Sequence, residues 1–195
     1  MYWENTATLL LADLHLSKET HFRKNGIAVP DGITKNNLER LTALCNFFSP
    51  KNIIAIGDLF HSSENASLAL FKQWKQTYPQ IQFQLISGNH DILEARVYQN
   101  LDIDVIGASF TQNQICLTHH PEEDTNGHYV ICGHVHPAIR LTGMAKQSLR
   151  LPCFWFGERL GVLPAFGGFT GMKTIHAAQT DAVFAIAENK IVRIQ

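Results

Sequence analysis

Residues 54–61, with the sequence IAIGDLFH, combine a short apolar run with a glycine, an aspartate and a histidine placed directly after it. An apolar run of this length that stops at a glycine is typical of a buried strand from which the chain turns sharply away. Four other apolar runs of strand length occur at residues 8–12, 83–86, 114–118 and 129–132. Each is followed within four residues by Asp, Asn or His. We therefore expect five strand ends to carry side chains of the metal-ligand type.

Two segments, residues 38–48 and 68–78, have the apolar spacing of amphipathic helices, and each stops at a proline. The alternation of strands and helices in the first half of the chain favours an α/β fold with parallel strands. The second half is rich in glycine and strand-like runs, which favours antiparallel pairing. We expect residues 182–187 and 190–194 to form a closing hairpin.

The composition is that of a globular protein, with 45% hydrophobic and 17% charged residues in a chain of 195. This length favours one domain over residues 1–195. No apolar run approaches 18 residues, so we expect neither a leader nor a membrane span, and a cytoplasmic location.

The formal net charge of -1 argues against a surface coated in positive charge for nucleic acid. One segment nevertheless carries five basic residues against the single acid Glu158: Arg140, Lys146, Arg150, Arg159 and Lys173. Two interpretations stay open for this segment, namely a patch that faces phosphate and scattered surface charge.

Polar motifs follow the five predicted strands, and they hold seven of the ten histidines, if His61 is included. The motifs are Asp13-Leu14-His15, Gly57-Asp58, Gly88-Asn89-His90-Asp91, His119-His120 and Gly133-His134-Val135-His136. Each alone is weak, since Asn, Gly and Asp also favour turns. The carboxyl ends of strands in open sheets meet at one ligand-binding crevice, so the full set predicts a shared metal site.

This set of motifs resembles that of the calcineurin-like metallophosphoesterases, which is D-x-H, G-D-x-x-D or H, G-N-H-D or E, a lone His and G-H-x-H. The resemblance extends from Asp13 to His136. Residues 13–18, 22–27 and 57–62 are also similar to the bacterial DNA-ligase-associated (PdeM-like) subgroup. The resemblance implies an α/β fold, a four-layer αββα sandwich of mixed sheets flanked by helices.

The same resemblance implies two metal ions and the residues that hold them. Asp13, His15 and His136 would hold the first ion, Asn89, His119 and His134 the second, and Asp58 would bridge both. A carboxylate can share its two oxygens between two cations, whereas an imidazole serves one. The family pattern favours His119 as the ligand, but the sequence leaves His120 open as an alternative.

In this scheme a hydroxide that bridges two metals about 3.5–4 Å apart attacks the phosphorus. His90 would stabilise the phosphoryl group and donate a proton to the leaving oxygen, and Asp91 would orient His90. His61, His120 and Arg23 are further candidates for contact with the ligands or the substrate. The alternatives are a hydrogen-bonded structural histidine for His61 and a solvated loop for Arg23.

The leading functional hypothesis is a phosphodiesterase or nuclease linked to DNA repair, with DNA as substrate and a functional association with a DNA ligase. A phosphatase of small molecules or nucleotides, or a cyclic-nucleotide phosphodiesterase, is the second hypothesis, because the metal core serves monoesters and diesters alike. A catalytically silent interaction module is the third. Oxygen and imidazole ligands without thiolate admit manganese, iron, zinc or cobalt, and manganese is the leading expectation.

Overall fold

The computed structural model describes residues 1–24, 26–61, 65–121, 126–143, 147–188 and 190–195. Two β-sheets pack face to face, and helices cover the outer face of the first sheet. The first sheet consists of β1 (Tyr2–Trp3), β2 (Thr8–Ala12), β3 (Asn52–Ile56), β4 (Gln82–Ile86) and β5 (Ile103–Gly107), in that spatial order. Strands β2 to β5 are parallel and β1 is antiparallel to β2. The predicted strands in this half are confirmed, and β2 and β3 each lead directly to a polar motif.

The helices that join these strands are α1 (Lys18–Lys24), α2 (Ile33–Phe48), α3 (Asn65–Gln76) and α4 (Ala95–Asn100). Helix α2 places Leu38, Leu41 and Cys45 on one buried face, and α3 buries Phe71 and Trp74. These side chains form one core with residues of the first sheet. The spacing of apolar residues thus determines which face of each helix covers the sheet.

The second sheet contains the remaining strands of the described residues. They are β6 (Ser109–Gln112), β7 (Ile115–Thr118), β8 (Tyr129–Cys132), β9 (Pro137–Thr142), β10 (Ser148–Phe156), β11 (Leu160–Val162), β12 (Lys173–Thr174), β13 (Ala182–Ala187) and β14 (Lys190–Arg193). The spatial order is β12-β9-β10-β11-β8-β7-β6, with β13 paired to β10 and β14 to β13. The β13–β14 hairpin is confirmed.

The expectation of antiparallel pairing throughout the second half is wrong, because three of its strand pairs are parallel. Strand β8 is parallel to both β7 and β11, and β9 is parallel to β12. Between β8 and β11 the chain forms the long β9–β10 hairpin. Strand β11 then reverses the direction of β10 and pairs with β8 in parallel. A glycine-rich composition alone does not reveal such a return.

A second core lies between the two sheets. Strand β2 is buried on both faces: Leu9 and Leu11 pack toward the helices, whereas Leu10 and Ala12 pack with Leu117 and other residues of the second sheet. The alternation of side chains along a strand divides β2 in this way. The carboxyl ends of the central strands are therefore held at fixed positions between two packed layers.

The predicted α/β class with two mixed sheets is confirmed. Every described α-helix precedes Leu101, so in the part of the chain that is described the helices flank the first sheet. None of the described helices is long and apolar enough to cross a membrane.

Candidate metal centre

The carboxyl ends of strands from both sheets bring most of the predicted ligands together at one edge of the sandwich. Three groups of three side chains could each hold a metal ion. Within each group, the ligand atoms of the three residues lie within 4.8 Å of one another. The groups are Asp13-His15-His136, Asp13-Asp58-His119 and His119-His120-His134. Six of the seven predicted metal ligands belong to these groups, and the seventh is the amide Asn89.

Asp13 is fully buried and lies in two of these groups. Its Oδ2 accepts a hydrogen bond from the backbone N–H of His134 at 2.9 Å. Its Oδ1 lies 3.3 Å from Nε2 of His136 and accepts no hydrogen bond. A buried carboxylate oxygen without a hydrogen-bond donor is costly, and a cation at this position offsets that cost. The residues therefore fit a metal ion.

Asp58 follows β3 and lies close to histidines of two different ligand groups. Its Oδ2 lies 3.7 Å from Nε2 of His15 and 3.6 Å from Nε2 of His119. Its Oδ1 accepts a hydrogen bond from the backbone N–H of His90 at 2.9 Å. One carboxylate thus stands between histidines from β2 and β7.

Backbone carbonyl groups fix the tautomers of two histidines. Nδ1 of His119 lies 3.2 Å from the carbonyl oxygen of Ile56, and Nδ1 of His136 lies 3.1 Å from that of Gly171. A carbonyl oxygen only accepts, so each Nδ1 is the donor, and Nε2 is the ring nitrogen available to a metal ion. This arrangement is the one by which metal-ligating histidines are usually oriented. Ile56 and Gly171 act through their backbones, so no side-chain motif indicated them in the sequence.

Two ring nitrogens face each other at 3.2 Å, namely Nδ1 of His134 and Nε2 of His119. Two nitrogens bound tetrahedrally to one ion at about 2.0–2.1 Å are separated by a similar distance. His119 is almost fully buried, whereas His120 is half-buried and packs its ring against both His119 and His134. The structure thus brings both histidines to the site, and His119 is the one that also approaches Asp58.

The electrostatic environment keeps two of these histidines neutral. Burial, followed by the charge of Lys18 and of neighbouring histidines, lowers the pKa of His15 to about 2. Burial, followed by His119 and His120, lowers the pKa of His134. Since a histidine must be deprotonated to bind a metal, both side chains are in the form that binding requires.

The backbone of five predicted ligands is left-handed, with φ values between 47° and 65°. These residues are Asp13, His15, Asp58, His134 and His136. Residues other than glycine rarely adopt this conformation, and where they do so they cluster at active sites. The strain indicates that the surrounding structure holds these side chains in position for a chemical purpose.

Glycines beside the ligands allow the loops to approach closely. A Cβ on Gly57, whose φ is +73°, would lie 2.0 Å from Nδ1 of His119. A Cβ on Gly88 would lie 2.5 Å from Oδ1 of Asp58. No side chain fits at either position without displacing a predicted ligand.

We expect Gly57→Ala to reduce the free energy of unfolding by about 2–4 kcal/mol, because it adds both steric overlap and left-handed strain. The displaced His119 should also lower metal content, measured by elemental analysis beside thermal denaturation. Gly26→Ala is the matched control, since Gly26 has a similar φ of +78° but no atom within 4 Å of an added Cβ. Equal effects of the two substitutions would contradict the packing argument.

His90 and Asn89 lie in the exposed turn that follows β4. The His90 ring centroid is 4.5 Å from that of His61 and 5.5 Å from that of His15. His61 is half-buried and also packs against Phe22. His90 is therefore beside the ligands but open to a substrate, and Asn89 is on the same turn.

Asp91 was expected to orient His90. Among the described residues, however, the hydrogen bonds that its carboxylate accepts come from other groups. Asp91 instead accepts hydrogen bonds from backbone N–H groups at 2.7–3.4 Å. The donors are Asp58, Leu59, Phe60 and Gly88. Burial, with the nearby Asp58 charge, raises the pKa of Asp91 despite these bonds. Asp91 thus ties the Asp58 loop to the β4 turn.

The basic residues considered as substrate contacts lie on different elements of the fold. Arg23 forms an ion pair with Asp31, and its Nε donates to the carbonyl oxygen of Glu19 at 3.4 Å. Arg140 and Arg150 lie opposite each other on the β9–β10 hairpin, whereas Arg159 lies beyond the other end of β10. Lys146 is outside the described residues. Arg159 is therefore separated from the pair Arg140 and Arg150 by most of the length of β10.

Comparisons with known proteins show which family and which solved structures the chain resembles. The family of calcineurin-like phosphoesterases matches residues 7–118. The nuclease MPE of Pseudomonas putida is 32% identical, with 94% of this chain and 86% of that chain covered at a TM-score of 0.80. The phosphoesterase YfcE of E. coli is 12% identical, with 96% of each chain covered at a TM-score of 0.49. No curated protein sequence matches the chain.

The family match covers more than half of the sequence, and this chain belongs to the calcineurin-like phosphoesterase family. The protein is accordingly a metal-dependent hydrolase of phosphoester bonds. The Asp and His groups at the strand ends supply the expected metal-binding side chains.

Proposed function

We propose that this hydrolase uses two divalent metal ions to cleave phosphodiesters, with nucleic acid as its substrate. The observation that carries the two-metal proposal is the position of Asp58, whose Oδ2 is within 3.7 Å of histidine nitrogens on both sides. A nucleic-acid substrate is supported by the similarity to the nuclease MPE over 94% of the chain. The motif resemblance to the DNA-ligase-associated subgroup points the same way.

In this proposal the first ion is held by Asp13, His15 and His136. Asn89, His119 and His134 hold the second, and Asp58 contributes to both. The donors are carboxylate or amide oxygens and imidazole nitrogens, a set that suits manganese and also admits iron, zinc or cobalt. His120 packs beside His119 and supports its orientation. Asn89 is exposed on the turn that also carries His90.

When bound, the two ions lower the pKa of a water molecule and offset the negative charge of the phosphoryl oxygens. The exposed ring of His90 lies beside the ligand set, where it can contact the phosphoryl group and donate a proton to the leaving oxygen. His61, in ring contact with His90, limits the orientations that His90 adopts.

Asp91 acts in this proposal as a positioning residue. Its carboxylate accepts the N–H groups of Asp58 and Gly88 at 2.7 and 2.8 Å, which joins two ligand-bearing loops. Loss of such a supporting group typically lowers metal affinity about 10- to 100-fold. Asp91 thereby supports metal binding, and its influence on His90 passes through the backbone of the turn.

The biological setting of the enzyme is proposed through resemblance alone. A role in DNA repair, a functional association with a DNA ligase and a cytoplasmic location stay predictions, as does the assignment of residues 1–195 to one domain. Ligands from both sheets meet at one edge, and this supports a single functional unit.

Metal-reconstituted protein is expected to hydrolyse bis-p-nitrophenyl phosphate and a DNA oligonucleotide at least about 10-fold more efficiently than a mononucleotide, by kcat/KM. The expected preference for diesters rests on the similarity to the nuclease MPE, and His90 is exposed on its turn. A panel with cyclic nucleotides, single strands and duplex DNA measures the preference, with an Asp58→Ala preparation as the control for contaminating nuclease. Preference for mononucleotides or cyclic nucleotides would overturn the nuclease proposal and favour the small-molecule alternative.

A further inference from the structure

The β9–β10 hairpin projects beyond the edge of the sandwich at which the metal ligands lie. Strand β11 pairs in parallel with β8, so that Val162 is level with Cys132, and β10 places Trp155 at the same level. Strand β10 is antiparallel to β11, so its residues before Trp155 extend past the carboxyl end of β8. Arg150 lies five residues further along, or about 16 Å beyond that level.

One face of this hairpin is turned toward the side of the first sheet. Phe154 belongs to the core between the sheets, and residues two apart share a face of a strand, so Arg150 is on the same face as Phe154. Arg140 is directly opposite Arg150 in the antiparallel register and therefore shares this face. Conversely, Ile139 packs with Cys153 on the other face.

Arg140 and Arg150 form a pair of like charges on facing positions of the hairpin. Both are exposed, and no carboxylate of the described residues forms an ion pair with either. Like charges directly opposite each other destabilise a β-sheet. The next pair on the same face, Thr142 and Ser148, adds two hydroxyl groups. An anion bound on this face of the hairpin would offset the repulsion between the arginines. It would also lie beside four side chains that can donate hydrogen bonds.

Arg140 is also close to the metal centre along the chain. It lies four residues after His136, at most about 13 Å of extended backbone. Each strand of B-form DNA has a phosphate about every 3.4 Å of helix axis. An anion at the hairpin is thus within a few nucleotides of a phosphate at the metal centre.

We propose that Arg140 and Arg150 form a second phosphate site, which binds the backbone of a nucleic-acid strand a few nucleotides from the bond that is cleaved. This inference rests on the proposed nuclease function and adds a subsite to it. Guanidinium groups suit the task because they bind phosphate oxygens in a bidentate manner. A small diester such as bis-p-nitrophenyl phosphate is too short to reach from the metal centre to the hairpin.

The test compares Arg140→Ala/Arg150→Ala with wild type in two assays. The first is the ratio of kcat/KM for a single-stranded oligonucleotide to that for bis-p-nitrophenyl phosphate, which is expected to fall at least about 10-fold. The second is the dependence of oligonucleotide binding on salt, whose slope should fall by about 0.7 for each phosphate that the variant no longer neutralises. Arg159→Ala removes one positive charge at the far end of β10, half of the charge that the double variant loses, and is expected to change neither quantity.

Arg140→Lys/Arg150→Lys keeps the charge but loses the bidentate geometry, and it should restore most of the salt slope and only part of the kcat/KM ratio. A denaturation temperature of the Ala variant at or above that of wild type shows that the fold is retained, since the substitutions also remove the repulsion between the two arginines. If wild type binds and cleaves the oligonucleotide and the double Ala variant matches it in both assays, the second phosphate site is wrong. If wild type cleaves only the small diester, the nuclease proposal itself fails.

Discussion

Asp58→Ala is expected to lower metal content at both ligand groups and to reduce phosphodiester hydrolysis by at least about 10³-fold. The reason is positional, since Oδ2 of Asp58 lies 3.7 Å from Nε2 of His15 and 3.6 Å from Nε2 of His119. Loss of this carboxylate removes the negative charge that the two ions share. Elemental analysis, kinetics with bis-p-nitrophenyl phosphate and thermal denaturation with and without metal measure the result.

In the absence of metal, Asp58→Ala is expected to be more stable than wild type. Asp58 and Asp13 are both buried carboxylates in one cluster, so removal of one relieves repulsion in the metal-free protein. Metal should then raise the denaturation temperature less than in wild type. Asp104→Ala, at an exposed position of β5, is the matched control. Wild-type metal content and activity in Asp58→Ala would contradict the bridging role.

His90→Ala is expected to retain nearly all bound metal and to lower turnover by about 10²–10⁴. The substitution leaves the backbone N–H of residue 90 in place, and this N–H donates to Oδ1 of Asp58 at 2.9 Å. The loss should depend on the leaving group, because p-nitrophenolate leaves without a proton more readily than an alkoxide. Kinetics with matched aryl and alkyl diesters separate proton donation from stabilisation of the phosphoryl group.

His176→Ala is the control for His90, since His176 is also exposed but lies after β12 and outside the ligand groups. Equal losses for aryl and alkyl esters would show that His90 is not mainly the acid. Loss of metal in His90→Ala would instead make this residue part of the metal-binding set.

The sequence predicted the strands best where they are most deeply buried. The predicted ligand residues that follow these strands are also the ones that the structure brings together. Strands β2, β3 and β8 have the bounds expected from their apolar runs. Burial on both faces requires an uninterrupted apolar run, and such runs are easily recognised. The polar residues directly after them then had to lie at the common edge.

Features that depend on distant parts of the chain were not predictable in this way. The carboxylate of Asp91 binds backbone N–H groups more than 30 residues away, at Asp58 and Leu59, and no local motif specifies that contact. The short helix α4 was missed because six residues give too little periodicity. The order of the second sheet depends on a returning strand of three residues, β11.

The left-handed backbone at five predicted ligands also bears on how such a chain evolves. Without a metal, each of these residues costs about 1–3 kcal/mol of strain, and replacement by glycine relieves it. A lineage that kept the sandwich only as a scaffold would gain stability wherever glycine replaced one of these residues. Neutral drift would then erase these residues before the buried strands beneath them. The five left-handed residues therefore carry a cost in stability that metal binding, rather than the fold, explains.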